Sequence, residues 1–173
     1  MKTTNTDWRF SVMPAVFTWL KKSESGSFEI DFDTTKKYAA EILKVQGKGG
    51  SRMGGLVGSG TLGENSYLSV DQRLSLLEAL SDVAKEYGVP LISGAAAETK
   101  EEIAEIVKQL ASVGVDTVMV MPPKTKEAPS DEDMQFLEAC VLEDYQNMCL
   151  FMDYEALAGN ISSDEVASLD LCH

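Results

Sequence analysis

The sequence predicts an α/β protein with parallel strands, and three observations carry the prediction. Short apolar runs of strand character alternate with amphipathic segments of helical period. The helical segments open on recognisable capping residues, and glycines close several of them. The units recur at intervals of roughly 25–45 residues, which suits a strand followed by a right-handed crossover helix. An open doubly wound sheet and part of a (β/α)8 barrel both fit, and periodicity does not choose between them.

Ser11 to Thr18 is a mostly apolar run suited to a strand covered on both faces, although Pro14 removes one ladder donor. A polar stretch follows. Asp33 is then placed to cap a helix carrying Tyr38, Ile42 and Val45 on one face, ended by Gly47 to Gly50. Gly54 to Val57 reads as the second strand and runs into the glycine segment Gly58 to Gly63. Ser69 with Gln72 forms a capping box, each side chain satisfying an otherwise unpaired amide. The helix behind it shows Leu74, Leu77, Leu80 and Ala84 at helical spacing and closes at Gly88.

Val89 to Ser93 is the third strand. Thr99 with Glu102 repeats the capping box, Ile103, Ile106, Val107 and Leu110 form the stripe, and Gly114 stops the helix. Val115 to Met121 is a β-branched fourth strand. Ser130 starts a helix containing Met134, Leu137 and Val141, with Asp131, Glu132 and Asp133 favouring its start through the helix dipole. Cys149 to Met152 is the fifth strand, and Ser162 with Glu165 opens a fifth helix. Met119, Met121, Met148 and Met152 read as core filling rather than as a ligand box.

The 173 residues fit a single domain over 1–173, with 44% apolar and 25% charged side chains. Fifteen basic against 28 acidic residues give a net charge of −13, a field that repels phosphate backbones, so nucleic acid is not an expected partner. No run has the roughly 18 apolar residues of a membrane span, and the first residues lack an apolar signal core. A cytoplasmic protein without a membrane partner is expected. Cys140, Cys149 and Cys172 contain no C-x-x-C pair, and His173 is the one histidine, so neither a disulfide framework nor a metal site is expected.

Glycines between a strand and a helix expose backbone N–H groups that can hold a carboxylate or phosphate. Spacing alone sets that reading level with a flexible turn. No nucleotide fingerprint is present.

The segment Gly55-Leu56-Val57-Gly58-Ser59-Gly60-Thr61-Leu62-Gly63-Glu64-Asn65, followed after a spacer by Gln72, resembles the signature of the dihydrodipicolinate synthase/N-acetylneuraminate lyase family. Only Leu62 breaks the pattern G-[ST]-[TG]-G-E. Pro14-Ala15-Val16-Phe17-Thr18 is similar to the family's first strand (P-A-x-x-T-P-F), with Trp19-Leu20 in place of Pro-Phe. Gly88 to Gly94 and Gly114 to Pro122 resemble two further family blocks, in the right order.

The resemblance implies a (β/α)8 (TIM) barrel, here incomplete, with about five β–α units where a closed barrel takes about 250 residues. It implies a class I aldolase-lyase acting on pyruvate or another small 2-oxo acid through a lysine Schiff base, with no cofactor. Carboxylate binding falls to Gly60, Thr61 and Leu62: Thr61 supplies hydroxyl and amide, Leu62 an amide only. Losing the second hydroxyl removes about one hydrogen bond, roughly 0.5–1.5 kcal/mol.

The departures concern catalysis. Met121-Pro122 is followed by Pro123-Lys124, where synthases carry a tyrosine pair. Met152 aligns with the proton-relaying tyrosine, and Tyr154, on the same face if the strand continues, is a weak substitute. Leu157 aligns with the arginine that reads a substrate carboxylate. The reactive lysine belongs on a sixth strand, beyond His173. Lys124, flanked by Lys126, Glu127 and prolines, reads as an exposed loop lysine rather than a replacement amine. The expectation is a C-terminally truncated barrel, inactive by itself. The alternative is a non-catalytic binding or assembly module that forms a homo-oligomer through its open edge.

Overall fold

The computed structural model describes residues 12–47, 52–60, 63, 67–121, 130–145 and 149–151. The elements are β1 (Leu20–Lys22), β2 (Phe28–Ile30), α1 (Phe32–Lys44), β3 (Leu56–Gly58), α2 (Val70–Tyr87), β4 (Leu91–Ala95), α3 (Lys100–Ser112), β5 (Thr117–Val120), α4 (Asp131–Asp144) and β6 (Cys149–Phe151). The hydrogen-bonded order β3-β4-β5-β6 follows the chain, as expected for parallel strands joined by helices, while β1 and β2 form a separate two-stranded sheet. Two compact units share these elements: residues 1–93 with 113–115, and residues 94–112 with 116–173.

In the first unit β3 pairs in parallel with β4, Gly58 lying opposite Ser93. The preceding segment joins the other side of β3 only through isolated parallel bridges, Val12 to Met53 and Ala15 to Val57. Pro14 explains why the expected strand is interrupted. Its carbonyl accepts from the Val57 amide at 2.9 Å, and the Val16 amide donates to the Val57 carbonyl at 2.9 Å. The ring leaves no N–H for the rung that would join the Val12 and Ala15 bridges. The polar stretch contains an antiparallel hairpin that the apolar pattern missed, Leu20 facing Ile30 and Lys22 facing Phe28. Its tip needs Gly26 at φ +88.

Helix α1 is capped by Asp31, not by the expected Asp33, which lies in the first turn. The Thr34 amide donates to Asp31 Oδ1 at 3.0 Å and its hydroxyl to Oδ2 at 2.9 Å. Those bonds hold the Asp31 carboxyl below its ordinary pKa. The buried stripe is Thr35, Ala39 and Leu43, one position on from the predicted Tyr38 and Ile42, and Val45 is exposed. Helix α2 opens on the expected Ser69–Gln72 capping box and ends at Gly88 in the left-handed region. Leu77, Leu80 and Ala84 are buried as predicted, together with Leu76 and Val83, whereas Leu74 is only partly buried.

β3 and α2 approach closely because Gly58 has no side chain: a Cβ there would lie 2.9 Å from both Leu77 Cδ2 and Leu80 Cδ1. Behind α2, the Ser81 hydroxyl donates to the Gly114 carbonyl at 3.0 Å. Gly114 adopts φ +83, a conformation that side chains rarely take.

In the second unit β5 and β6 pair in parallel, and the Met121 amide donates to Ala95 at 3.0 Å. The Thr99–Glu102 capping box forms as expected, with bonds of 3.1 and 3.3 Å. Helix α3 buries Ile103, Ala104, Val107 and Leu110, three of them from the predicted stripe. Helix α4 starts at Ser130 and buries Met134, Leu137 and Val141. Met119 and Met121 are partly buried rather than core residues. The fifth helix expected from Ser162 lies outside the described residues.

Candidate carboxylate-binding turn

The glycine segment begins where β3 ends, at the carboxyl end of a parallel strand, the usual location of ligand sites in such folds. Leu56 is buried in β3, and Gly58 keeps the strand tight against α2. Ser59, 2% exposed, takes φ +51, an uncommon left-handed conformation for a residue with a side chain. The Gly63 amide donates to the Gly60 carbonyl at 3.0 Å, closing the turn between them. Thr61, Leu62 and Glu64 lie outside the described residues, so of the expected carboxylate ligands the structure places Gly60.

The turn is also held from outside. The Thr18 hydroxyl, buried, donates to the Gly63 carbonyl at 2.7 Å across 45 positions of sequence. A Cβ on Gly63 would meet the Val16 carbonyl at 3.4 Å and Thr18 Oγ1 at 3.6 Å. Trp19, at the position where the family pattern has proline, uses the amide that proline lacks: it donates to buried Thr35 Oγ1 at 3.0 Å. Its carbonyl accepts from the Asp31 amide at 2.7 Å. Segment 16–19 therefore ties α1, β3 and the turn together. The sequence offered one signal of this, a threonine inside an otherwise apolar run.

A separate charged cluster joins the starts of α3 and α4. Lys100 Nζ lies 2.6 Å from Asp133 Oδ1 and 5.4 Å from the centre of the Phe136 ring. The Ser130 hydroxyl donates to Asp133 Oδ2 at 2.8 Å. The Lys100 bond, then the Ser130 bonds, lower the Asp133 carboxyl from 3.8 to about 2. Lys100 is shifted upward by the same contact. Two helix starts are pinned by this pair, with Asp133 also serving as the acidic partner of the α4 capping box.

Lys124, Met152, Tyr154 and Leu157 all lie outside the described residues. Among the described residues no group of three or more His, Cys, Asp or Glu side chains is arranged to hold a metal. Cys140 is a free thiol whose pKa burial raises, which suits a structural rather than a reactive role. No helix among the described residues is long and apolar enough to cross a membrane.

Comparison with known proteins agrees with the geometry. The model of the dihydrodipicolinate synthetase family matches residues 25–172. A 4-hydroxy-tetrahydrodipicolinate synthase from Bifidobacterium animalis subsp. lactis is 30% identical over 112 residues, covering 65% of this chain and 33% of the relative. Among solved structures, a dihydrodipicolinate synthase of Bacillus anthracis superposes with a TM-score of 0.72 at 24% identity, over 92% of this chain and 51% of its own. A prophage protein of the same family from E. coli K12, in complex with pyruvate, gives a TM-score of 0.73 at 21% identity, over 92% of this chain and 50% of its own. The chain thus spans about a third of the length of the curated relatives and about half of the solved structures it matches. The fold is the α/β arrangement of part of their barrel, which decides between the two architectures left open by periodicity. With the signature around the turn, the family model over 25–172 and the superposed barrels in agreement, the chain belongs to the dihydrodipicolinate synthetase family.

Proposed function

We propose that this chain binds a small 2-oxo acid such as pyruvate, holding its carboxylate at Gly60, Thr61 and Leu62, as a relative of class I aldolase-lyases. The observation that carries the reading is the closed turn from Gly60 to Gly63 at the end of β3, secured by the Thr18 hydroxyl. Backbone amides at a strand's carboxyl end can hold an anion, and a carboxylate needs no metal or cofactor to be held in that way. The solved relative from E. coli K12 that contains pyruvate superposes on 92% of this chain.

For the 173-residue chain alone we expect binding without covalent capture. The family resemblance assigns the iminium-forming amine to a sixth strand, and the resembling blocks run through the fourth, Gly114 to Pro122. Saturation-transfer NMR with pyruvate tests the binding, and borohydride reduction followed by intact-mass measurement tests the capture. Transfer to pyruvate with no reduced adduct is the expected pair of results. Absence of transfer sinks the binding reading, and a reduced adduct mapped to Lys124 or any other lysine sinks the non-covalent one.

A homo-oligomer is the second reading. Phe28 is 68% exposed, and Phe17, Trp19 and Leu20 are exposed with it, an apolar display that marks interaction sites. A discrete multimer in sedimentation velocity supports assembly, while a monomer leaves binding as the function.

A further inference from the structure

We propose that Ser25, at the tip of the β1–β2 hairpin, is a phosphoryl acceptor, and that Lys22 with the Ser23 and Ser27 hydroxyls holds the resulting phosphoserine. No residue of this site belongs to the Gly60–Gly63 turn, and it stands or falls apart from the 2-oxo-acid reading.

Serines alternate along Ser23-Glu24-Ser25-Gly26-Ser27. An extended strand would hold such positions about 7 Å apart. The hairpin folds them together instead. The Ser23 amide donates to the Ser27 carbonyl at 2.7 Å, the Gly26 amide donates to the Ser23 carbonyl at 3.0 Å, and Gly26 takes φ +88. The three hydroxyl oxygens then close a triangle, with Ser23 2.8 Å from both Ser25 and Ser27, and those two 3.0 Å apart. The Lys22 stem lies over the same turn, its Cε 4.0 Å from where a Cβ on Gly26 would stand.

This grouping suits a dianion. In the triangle every bond joins neutral oxygens. Once Ser25 carries a phosphoryl group, the Ser23 and Ser27 hydroxyls donate to charged oxygens, and bonds of that kind are roughly twice as strong. The Lys22 ammonium supplies the counter-charge. Ser25 is also the reachable member: it is exposed and sits in the turn rather than in a strand, whereas Ser23 is half-buried. The flanking strands are three residues each, and so short a two-stranded hairpin opens at little cost, which lets the segment enter an enzyme cleft.

The step takes a nucleoside triphosphate and a protein serine kinase. Ser25 Oγ bonds to the γ-phosphorus, the bond from that phosphorus to the bridging β–γ oxygen breaks, and the nucleoside diphosphate leaves. The hydroxyl proton passes to a base of the kinase.

Two measurements test the proposal. Protein purified from its own cells under phosphatase inhibition is mapped by tandem mass spectrometry, and a phosphoryl group on Ser25 is expected. None there, or one on Ser23 or Ser27 instead, overturns the acceptor assignment. The 173-residue chain with phosphoserine installed in place of Ser25 is then titrated by phosphorus NMR. Its second ionisation, ordinarily at about 6, is expected about 0.5 unit lower in the folded chain than in the same chain in urea, because bonds to the dianion favour the charged form. K22Q, and S23A with S27A, each return part of that shift. Equal values folded and unfolded, or a shift that neither variant reduces, overturn the holding role of Lys22 and the two serines.

Discussion

Gly114→Ala is the most informative single change in the packing of the first unit. The backbone at Gly114 has φ +83, which costs a residue with a Cβ about 1–2 kcal/mol. A Cβ at that site lies 2.5 Å from Ser81 Oγ and 3.1 Å from Lys85 Nζ. The lysine tip swings away cheaply, but Ser81 sits within buried helix α2 and its hydroxyl is bonded to the Gly114 carbonyl at 3.0 Å. Turning that hydroxyl aside removes a bond worth about 1 kcal/mol and adds about 1 kcal/mol of overpacking. The total is about 3–4 kcal/mol, a large share of the roughly 5–15 kcal/mol typical of a whole domain. Urea denaturation followed by far-UV circular dichroism measures it as a shift of midpoint at constant slope. In an S81A background the clash and the bond are both gone, so the same glycine change costs only the backbone strain of about 1–2 kcal/mol. A Gly114→Ala variant within about 0.5 kcal/mol of wild type, or a cost unchanged by S81A, refutes the reasoning.

Ser93 Oγ is buried without a hydrogen-bond partner among the described residues, so Ser93→Ala should leave stability unchanged or raise it by up to about 1 kcal/mol in the same assay. Gly58→Ala places a methyl 2.9 Å from two leucine tips and should cost about 1–3 kcal/mol, part of which a Leu77→Ala partner change recovers. The Asp133 carboxyl, lowered from 3.8 to about 2, stabilises the fold above pH 3.8, and that contribution disappears as pH falls through 2. Melting temperatures recorded from pH 5 to 2 should therefore fall less steeply in D133N than in wild type. Parallel curves would show that the Lys100 pair contributes nothing to this slope.

What could be read from the sequence was what neighbouring residues decide among themselves. The boxes at Ser69–Gln72 and Thr99–Glu102, and the start at Ser130, are closed by side chains three positions from their amides, so pattern sufficed. Near α1 two aspartates flank Phe32, and local pattern does not say which of them the Thr34 amide will meet. The α1 stripe lies one position on from Tyr38 and Ile42 because small and polar side chains, not only the large apolar ones, line its buried face. The buried positions are Thr35 and Ala39 with Leu43. The β1–β2 hairpin escaped for its own reason: Lys21 and Glu29 face each other, and each strand is only three residues long, too short for the alternation of Phe28-Glu29-Ile30 to stand out.

The Gly60–Gly63 turn was legible as a motif and not as a mechanism of support. Gly60 and Gly63 announce a turn by composition, whereas the Thr18 bond spans 45 positions and depends on where the chain returns. Thr35 was equally opaque, a helical threonine whose partner is the amide of Trp19. Long-range hydrogen bonds of this kind leave no periodicity.

The indole that replaces proline at position 19 has an optical consequence. Trp19 is directly bonded to Thr18, 47% exposed, and set edge-on to the Tyr38 ring at 6.2 Å. With two tryptophans in the chain, replacing Trp8 by phenylalanine leaves a lone emitter beside the Thr18–Gly63 bond. Its emission wavelength and quenching by iodide then report rearrangements of this corner without any attached dye.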